Sequence, residues 1–395
     1  MAKYMEDEYD EERPRKKSPS GSRNGKRPSG KKGAAKKSSG KKVSGKKQQA
    51  RKQRRRIIIF ITEIIALVVA VLVLWSARTV TQGGKVNIQE NDIIINSTVK
   101  EAEETTMKGY RNIALFGVDS TVGALTKNTR SDTIMIASIN QDTGECKLVS
   151  VYRDTYLNLS NDTYNKCNAA YAKGGPEMAI NMLNMNLDMN ITDFVTVGFA
   201  GLTDTVDALG GVWIDVDDAE INHVNSYQMT MAENLKRDYT PVSTTGYQLL
   251  DGLQATGYCR VRYTLGDDFK RTERQREVLS AIADQAKKAS VSQLTATASS
   301  VFEETYTSLD LSEIMDMLSD VNKYYISETA GFPQETNRAT GTIGSKGSCV
   351  IPVNLEDNVK WLHQFLFDDY DYEPSSTVKQ CSEKIYSDTN GYLRK

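Results

Sequence analysis

Residues 111–155 read RNIALFGVDSTVGALTKNTRSDTIMIASINQDTGECKLVSVYRDT, and this stretch decides the fold. Three β-branched, apolar runs, Asn112 to Val118, Asp132 to Ile139 and Lys147 to Tyr152, are each bounded by turn-forming residues, which is the pattern of buried strands. The linker from Gln141 to Cys146 is hairpin-short, so at least part of the sheet is antiparallel. Further along the chain, strand-like runs recur at Phe194 to Phe199 and Val212 to Val216. Helical runs fall at Pro176 to Leu187, Leu202 to Leu209, Gly252 to Tyr258, Arg271 to Lys288 and Leu311 to Tyr324. This alternation predicts an α/β domain with a single mixed central sheet flanked by helices.

The chain ahead of it is of another kind. Residues 1–56 carry 21 Lys and Arg against 6 Asp and Glu, whereas residues 79–395 carry 28 against 44, so the net charge of −1 hides two oppositely charged parts. Lys-Lys pairs among Gly, Ser and Ala offer no apolar periodicity, and 1–56 is expected to be a disordered basic tail. Residues 57–77, IIIFITEIIALVVAVLVLWSA, contain one charge, Glu63. At 1.5 Å per residue they span a hydrocarbon core of roughly 30 Å, predicting one transmembrane helix. Arg54, Arg55 and Arg56 before it set the tail in the cytoplasm and the domain outside, at the cell membrane. Residues 78–106 read as a polar extracytoplasmic stalk with a weak strand at Asp92 to Ile95, 107–370 as the domain, and 371–395 as a C-terminal tail. The five cysteines form no metal knuckle, and their spacing leaves a Cys349–Cys381 bridge open.

Charge meets strand ends in three places. Asp119 closes the first strand and Asp132 opens the second; two such carboxylates can converge on Mg²⁺, which leaves its other positions to water and phosphate oxygens. Turn chemistry is the plainer reading of the same residues, since Asp and Ser are default turn residues. Arg153 ends the third strand beside Asp154. The third place is Tyr258-Cys259-Arg260-Val261-Arg262-Tyr263, then Gly266 to Arg276. An extended 260–262 points Arg260 and Arg262 to one side. A helix N-capped by Asp268 sets Arg271, Arg274 and Gln275 on one face. Cations in a first helical turn oppose the macrodipole, so an anion such as pyrophosphate would suit these guanidinium forks. A solvated, salt-bridged face with Asp267, Asp268 and Glu273 is the competing reading. With two histidines, His223 and His363, neither a nucleophilic triad nor a zinc site is supported, and no P-loop or dinucleotide fingerprint is present.

The ordered motifs RNIALFGVD, RSDTIM, KLVSVYRDT, NAAYAKGGPE, VDALGGVWIDV, GYQLLDGLQA and YCRVRY followed by RTERQREVL closely resemble the LytR-CpsA-Psr family over about residues 107 to 290. The resemblance implies an enzyme that transfers a cell-wall glycopolymer (teichoic acid or capsule type) from a polyprenyl pyrophosphate to peptidoglycan, with Mg²⁺ at the pyrophosphate. It implies Asp119 and Asp132 as metal ligands, Arg153, Arg260 and Arg262 on the pyrophosphate, and Asp268 (with Asp267), Arg271, Arg274 and Gln275 lining the site. Phe194, Phe199 and Leu202 are candidates for its apolar lipid tunnel. Cys259 stands where an aliphatic residue is commoner, and Tyr152 where Pro is frequent. Attack at phosphorus or at the anomeric carbon would use the same residues. Two other readings stand beside it: a non-catalytic module that holds pyrophosphate lipids at the wall, and a membrane-bound regulator whose tail binds nucleic acid. The tail has no helix-turn-helix, zinc finger or aromatic platform for specific nucleic-acid recognition.

Overall fold

The three apolar runs of 111–155 become neighbouring strands in the computed structural model, which describes residues 84–119, 125–126, 129–262 and 266–390. Among these residues the strands are β1 (Gly84–Lys85), β2 (Tyr110–Val118), β3 (Ser131–Asn140), β4 (Glu145–Val151), β5 (Tyr156–Asn158), β6 (Tyr164–Lys166), β7 (Asp193–Val197), β8 (Val212–Val216), β9 (Gly246–Leu250), β10 (Thr305–Thr307), β11 (Tyr325–Phe332), β12 (Arg338–Thr342) and β13 (Ser348–Pro352). Seven form one sheet in the order β1-β10-β7-β2-β3-β4-β11. β2, β3 and β4 are an antiparallel meander, while β7 and β11 add to its two edges in parallel, so the sheet is mixed as expected. The Val212 to Val216 run is a strand, but it pairs only with β9 in a separate ribbon.

The helices are α1 (Ser97–Ala102), α2 (Asn168–Leu187), α3 (Phe199–Ala208), α4 (Asp218–Leu235), α5 (Gly252–Tyr258), α6 (Asp267–Ala286), α7 (Val291–Phe302), α8 (Leu311–Ser319), α9 (Leu355–Phe367) and α10 (Ser376–Thr389). The Phe194 to Phe199 run stops being a strand at Val197, because Gly198 N-caps α3. In α2 the helix begins eight residues before Pro176, and Gly175 (φ 70°, ψ −160°) absorbs the break that the Gly-Gly-Pro triplet signals.

Strand alternation sorts the sheet into two faces. Ala114, Phe116, Ile134, Ile136, Val149 and Phe194 pack with α2, α9 and α10 in the main core, where each fully buried large side chain is worth about 1.5–3 kcal/mol. Ile113, Ala137, Ile139 and Leu148 point the other way, towards Leu279 of α6 and Met317 of α8. The result is a sheet between two helical layers.

Three expectations are corrected at the edges. The end of the presumed stalk is built into the domain: Val99 and Ala102 are buried, and the buried Asn96 amide donates to the Asp188 carboxylate and to the Met185 carbonyl. Asp92 to Ile95 is not a strand; a 3₁₀ turn ends at Asp92, and the Ile94 amide donates to Asn181 Oδ1 at 2.7 Å. The presumed C-terminal tail forms α10, whose Val378, Cys381 and Ile385 lie in the main core. All five cysteines are buried and free, Cys349 and Cys381 included. The apolar segment 57–77 and the basic tail lie outside the described residues; among those described no helix is long and apolar enough to cross a membrane.

Candidate functional site

The second face of the sheet does not close completely against α6. Between them lies a cavity of about 450 Å³. Its floor follows from register: Val195, Leu115 and Met135 are cross-strand neighbours on β7, β2 and β3, and Val197, Gly117 and Thr133 form the next row. A Cβ on Gly117 would meet Thr133 Cβ at 2.8 Å, so only glycine admits Thr133 at this height. Val278, Leu279 and Ile282 of α6 roof the cavity, and Phe199 and Leu202 of α3 line it as expected. Phe194 does not: one residue from Val195, it points to the opposite face and is buried against Tyr306 in the main core.

One end of this apolar space is charged. The ladder between β2 and β3 slips at Gly117/Val118, where Val118 pairs with Ser131 and leaves Asp132 as the extra residue. A bulge re-aims side chains, and here Asp132 and Thr133, consecutive in sequence, both border the cavity. Arg153, just past the end of β4, donates from Nη1 to Asp132 Oδ1 at 2.7 Å and lies 3.3 Å from Asp268. Arg271 lies 3.2 Å from the same Asp268 oxygen, 3.9 Å from Asp132 Oδ2, and donates to the Asp132 carbonyl at 3.0 Å. Arg262 reaches Asp268 at 3.8 Å. Two carboxylates thus hold three guanidinium groups in one fan.

Arg260 is held differently. Its guanidinium sits 4.3 Å from the Phe199 ring centroid and 5.0 Å from that of Tyr227, a cation–π cradle that fixes the group without neutralising it. Val261 between Arg260 and Arg262 is fully buried, so the two arginines share the cavity side. The crowding shows in Arg271, whose pKa burial pushes down to about 10, with Arg153 and Arg262 adding to the effect and Asp268 opposing it. In Arg153 burial also disfavours the charge, but Asp268 and Asp132 outweigh it and the pKa rises. An anion at this end would relieve what remains unbalanced.

The helix carrying Asp268 starts two residues earlier than an N-cap at Asp268 implies. Gly266 (φ 96°) is the N-cap, and Asp268 sits inside the first turn, where a carboxylate favours the helix dipole. Asp267 is exposed and does not border the cavity. Gln275 does border it, with Nε2 3.5 Å from the Cys259 carbonyl and a buried, unpartnered Oε1. Arg274 is a correction. It is buried in the protein, donates from Nε to Glu220 Oε1 of α4 at 2.6 Å and from Nη1 to the Val261 carbonyl at 3.2 Å. It tethers the segment carrying Arg260 and Arg262 from behind and does not line the cavity.

Residues between Gly331 and Gly347 complete the arrangement. Arg338 donates to the Tyr152 hydroxyl at 2.9 Å and lies 4.0 Å from the Phe269 ring centroid, while Tyr152 and Phe269 meet edge-to-face at 4.6 Å. These three side chains clamp the residue before Arg153 to the residue after Asp268. A Cβ at Gly331 would stand 2.0 Å from the Tyr152 hydroxyl, so the clamp also needs that glycine.

Asp119 is exposed on the rim of the same cavity. Among the described residues no group of three or more His, Cys, Asp and Glu could hold a metal by itself. The donor set of Asp119 and Asp132 suits an ion that takes one or two carboxylates and completes its shell with phosphate and water.

The LytR_cpsA_psr family model matches residues 78–343. The chain is 33% identical over 173 residues to the polyisoprenyl-teichoic acid–peptidoglycan teichoic acid transferase TagU of Enterococcus faecalis, a match covering 43% of this chain and 52% of TagU. It is 33% identical over 181 residues to biofilm regulatory protein A of Streptococcus mutans, covering 43% of each. These matches span about half the length of the curated relatives or less. Among solved structures, the protein gbs0355 of Streptococcus agalactiae superposes with a TM-score of 0.57 at 25% identity, covering 73% of this chain and 97% of that one. With a family model extending over well more than half of its length and the same fold in a solved relative, the chain belongs to the LytR_cpsA_psr family.

Proposed function

We propose that this chain is an extracytoplasmic phosphotransferase that moves a glycopolymer of teichoic acid or capsule type from a polyprenyl pyrophosphate to peptidoglycan. The observation that carries the reading is the division of one cavity into an apolar body and a mouth bordered by Arg153, Arg260, Arg262 and Arg271. A polyprenyl pyrophosphate has the same division. The relative named as a teichoic acid transferase supports the choice of reaction. The segment 57–77 would anchor the chain in the cell membrane with the basic tail inside, bringing the cavity to the surface from which such a lipid emerges.

In this mechanism the lipid chain occupies the space under Val278 and Ile282, and its pyrophosphate meets the guanidinium fan. A peptidoglycan hydroxyl forms a bond to the sugar-linked phosphorus while the bond to the bridging oxygen breaks. Polyprenyl phosphate leaves with that electron pair, and the hydroxyl proton passes to a rim carboxylate. Arg260, uncompensated by any carboxylate among its contacts here, neutralises charge developing on the leaving phosphate. A Mg²⁺ held by Asp119, Asp132 and phosphate oxygens would supply further charge neutralisation. Asp132 orients Arg153 and Arg271, and Gln275 supplies an acceptor to the same space.

The test is to incubate the full-length chain in detergent micelles with a polyprenyl-pyrophosphate-linked saccharide and peptidoglycan oligomers, with Mg²⁺ or with a chelator. Saccharide covalently joined to peptidoglycan is expected, abolished by the chelator and by Asp132→Ala, and slowed about 10²–10³-fold by Arg260→Ala. Lipid bound under every condition without cleavage would instead make the protein a non-catalytic lipid-holding module.

A further inference from the structure

Across α6 from this cavity lies a second, more polar groove. Arg271, Gln275, Val278 and Ile282 border the first; Lys270, Glu273, Glu277 and Asp284 border the second. At 3.6 residues per turn these sets fall on opposite sides of the helix. The groove encloses about 760 Å³, and the β8–β9 ribbon forms its far wall.

Alternation in that ribbon buries Val212, Ile214 and Leu250 and turns Trp213, Asp215 and Tyr247 outward. The Trp213 and Tyr247 rings stack with centroids 5.4 Å apart and planes at 25°, yet remain 41% and 70% exposed. Such a pair of rings left in water is free energy available to a ligand that covers it. A second observation points the same way. Arg276, 7% exposed, also borders the groove; its Nε donates to Thr329 Oγ1 at 3.3 Å, while its Nη1 is shut off from solvent with no hydrogen-bond acceptor. An unsatisfied buried donor of this kind destabilises the free protein, and a ligand oxygen that reaches it removes that cost.

We propose that this groove binds the acceptor: a strand of N-acetylated amino sugars whose faces stack on Trp213 and Tyr247 and one of whose carbonyl oxygens accepts from Arg276. The assignment of this strand as acceptor rests on the transferase reading above. Charge selects it over the polymer being transferred. Asp215, Asp217, Glu273, Glu277 and Asp284 outnumber the cations Lys270, Arg276 and Lys288, an environment that repels a polyphosphate and accepts from hydroxyl and amide N–H groups. From Gln285 to Lys270 the groove follows α6 for roughly 22 Å at 1.5 Å per residue. It ends one residue from Arg271, so a strand lying along it leads to the end of α6 that carries the arginine mouth.

The test uses the full-length chain in micelles, titrated by calorimetry with an N-acetylglucosamine hexasaccharide, with a poly(glycerol phosphate) as the anionic alternative. The hexasaccharide is expected to bind, Trp213→Ala and Tyr247→Ala each to weaken it about tenfold, or 1.4 kcal/mol, and Tyr247→Phe to retain it. Binding of polyprenyl pyrophosphate should stay unchanged in all three. No hexasaccharide binding, binding unaffected in both alanine variants, or binding of the polyanion lost in Trp213→Ala overturns the proposal. The two readings fail separately: a chain that transfers saccharide but ignores the hexasaccharide keeps its function and loses this groove, whereas one that binds it through Trp213 and transfers nothing does the reverse.

Discussion

Arg271 and Arg274 show how far spacing alone carries a side chain. Three residues on a helix return to nearly the same face, but 300° of rotation leaves a 60° offset, and that offset takes Arg274 out of the cavity and into an ion pair with Glu220 behind it. Removing one partner of a buried pair strands the other charge, so Arg274→Ala should cost about 3–5 kcal/mol in urea unfolding. Arg274→Met combined with Glu220→Leu should recover most of it, while a stability unchanged in the single variant would contradict the structural role. Asp119, Asp132, Arg153, Arg260, Arg262, Asp268, Arg271 and Gln275 were legible as a polar set because each stands at the end of an apolar run or on the first turns of a helix. Arg338 was not. Its partner Tyr152 is 186 residues away, and nothing in its own neighbourhood marks it.

Strands were easier to read than their partners. A period of two identifies Val212–Val216 as a strand but is silent on which sheet it joins, and the answer is a ribbon of its own. Helix α4 escaped because its apolar residues are sparse, although Asp217 and Glu220 form the capping box that announces it. The bulge at Asp132 was equally hidden, since it lies in the polar Ser131-Asp132-Thr133 start of β3, ahead of the apolar residues whose alternation could report a slip. That bulge depends on Gly117. Gly117→Ala puts a methyl 2.8 Å from Thr133 Cβ, an overpacking expected to cost about 1–3 kcal/mol. It should lower the thermal midpoint and weaken lipid binding together; a variant with wild-type lipid affinity would show that the close approach of β2 to β3 does not shape the cavity mouth.

The whole molecule extends past the region matched by the family model, which ends at 343, because α9 and α10 complete the main core. His363 of α9 is fully buried, stacked 3.5 Å from Tyr372, with Nε2 3.1 Å from the Leu187 carbonyl. Burial lowers its pKa to about 4, against the attraction of Asp188 and Asp369. A histidine held neutral in the fold but free to protonate when unfolded stabilises the fold above pH 6.5, and this contribution is lost as pH falls towards 4. The span corresponds to about 3 kcal/mol. Stability measured from pH 7 to pH 4 should therefore fall less steeply in His363→Phe than in the wild type, and equal slopes would remove His363 as the cause.

The most direct test of the account is where a polyprenyl pyrophosphate lies. A lipid with a photoreactive group on its isoprenoid chain, bound to the full-length chain and mapped by mass spectrometry, should label the roof and wall of the first cavity at Leu202, Val278 or Ile282, and Arg260→Ala should reduce that labelling. Labelling confined to other parts of the domain, with the cavity untouched, would contradict the assignment of this site and the mechanism built on it.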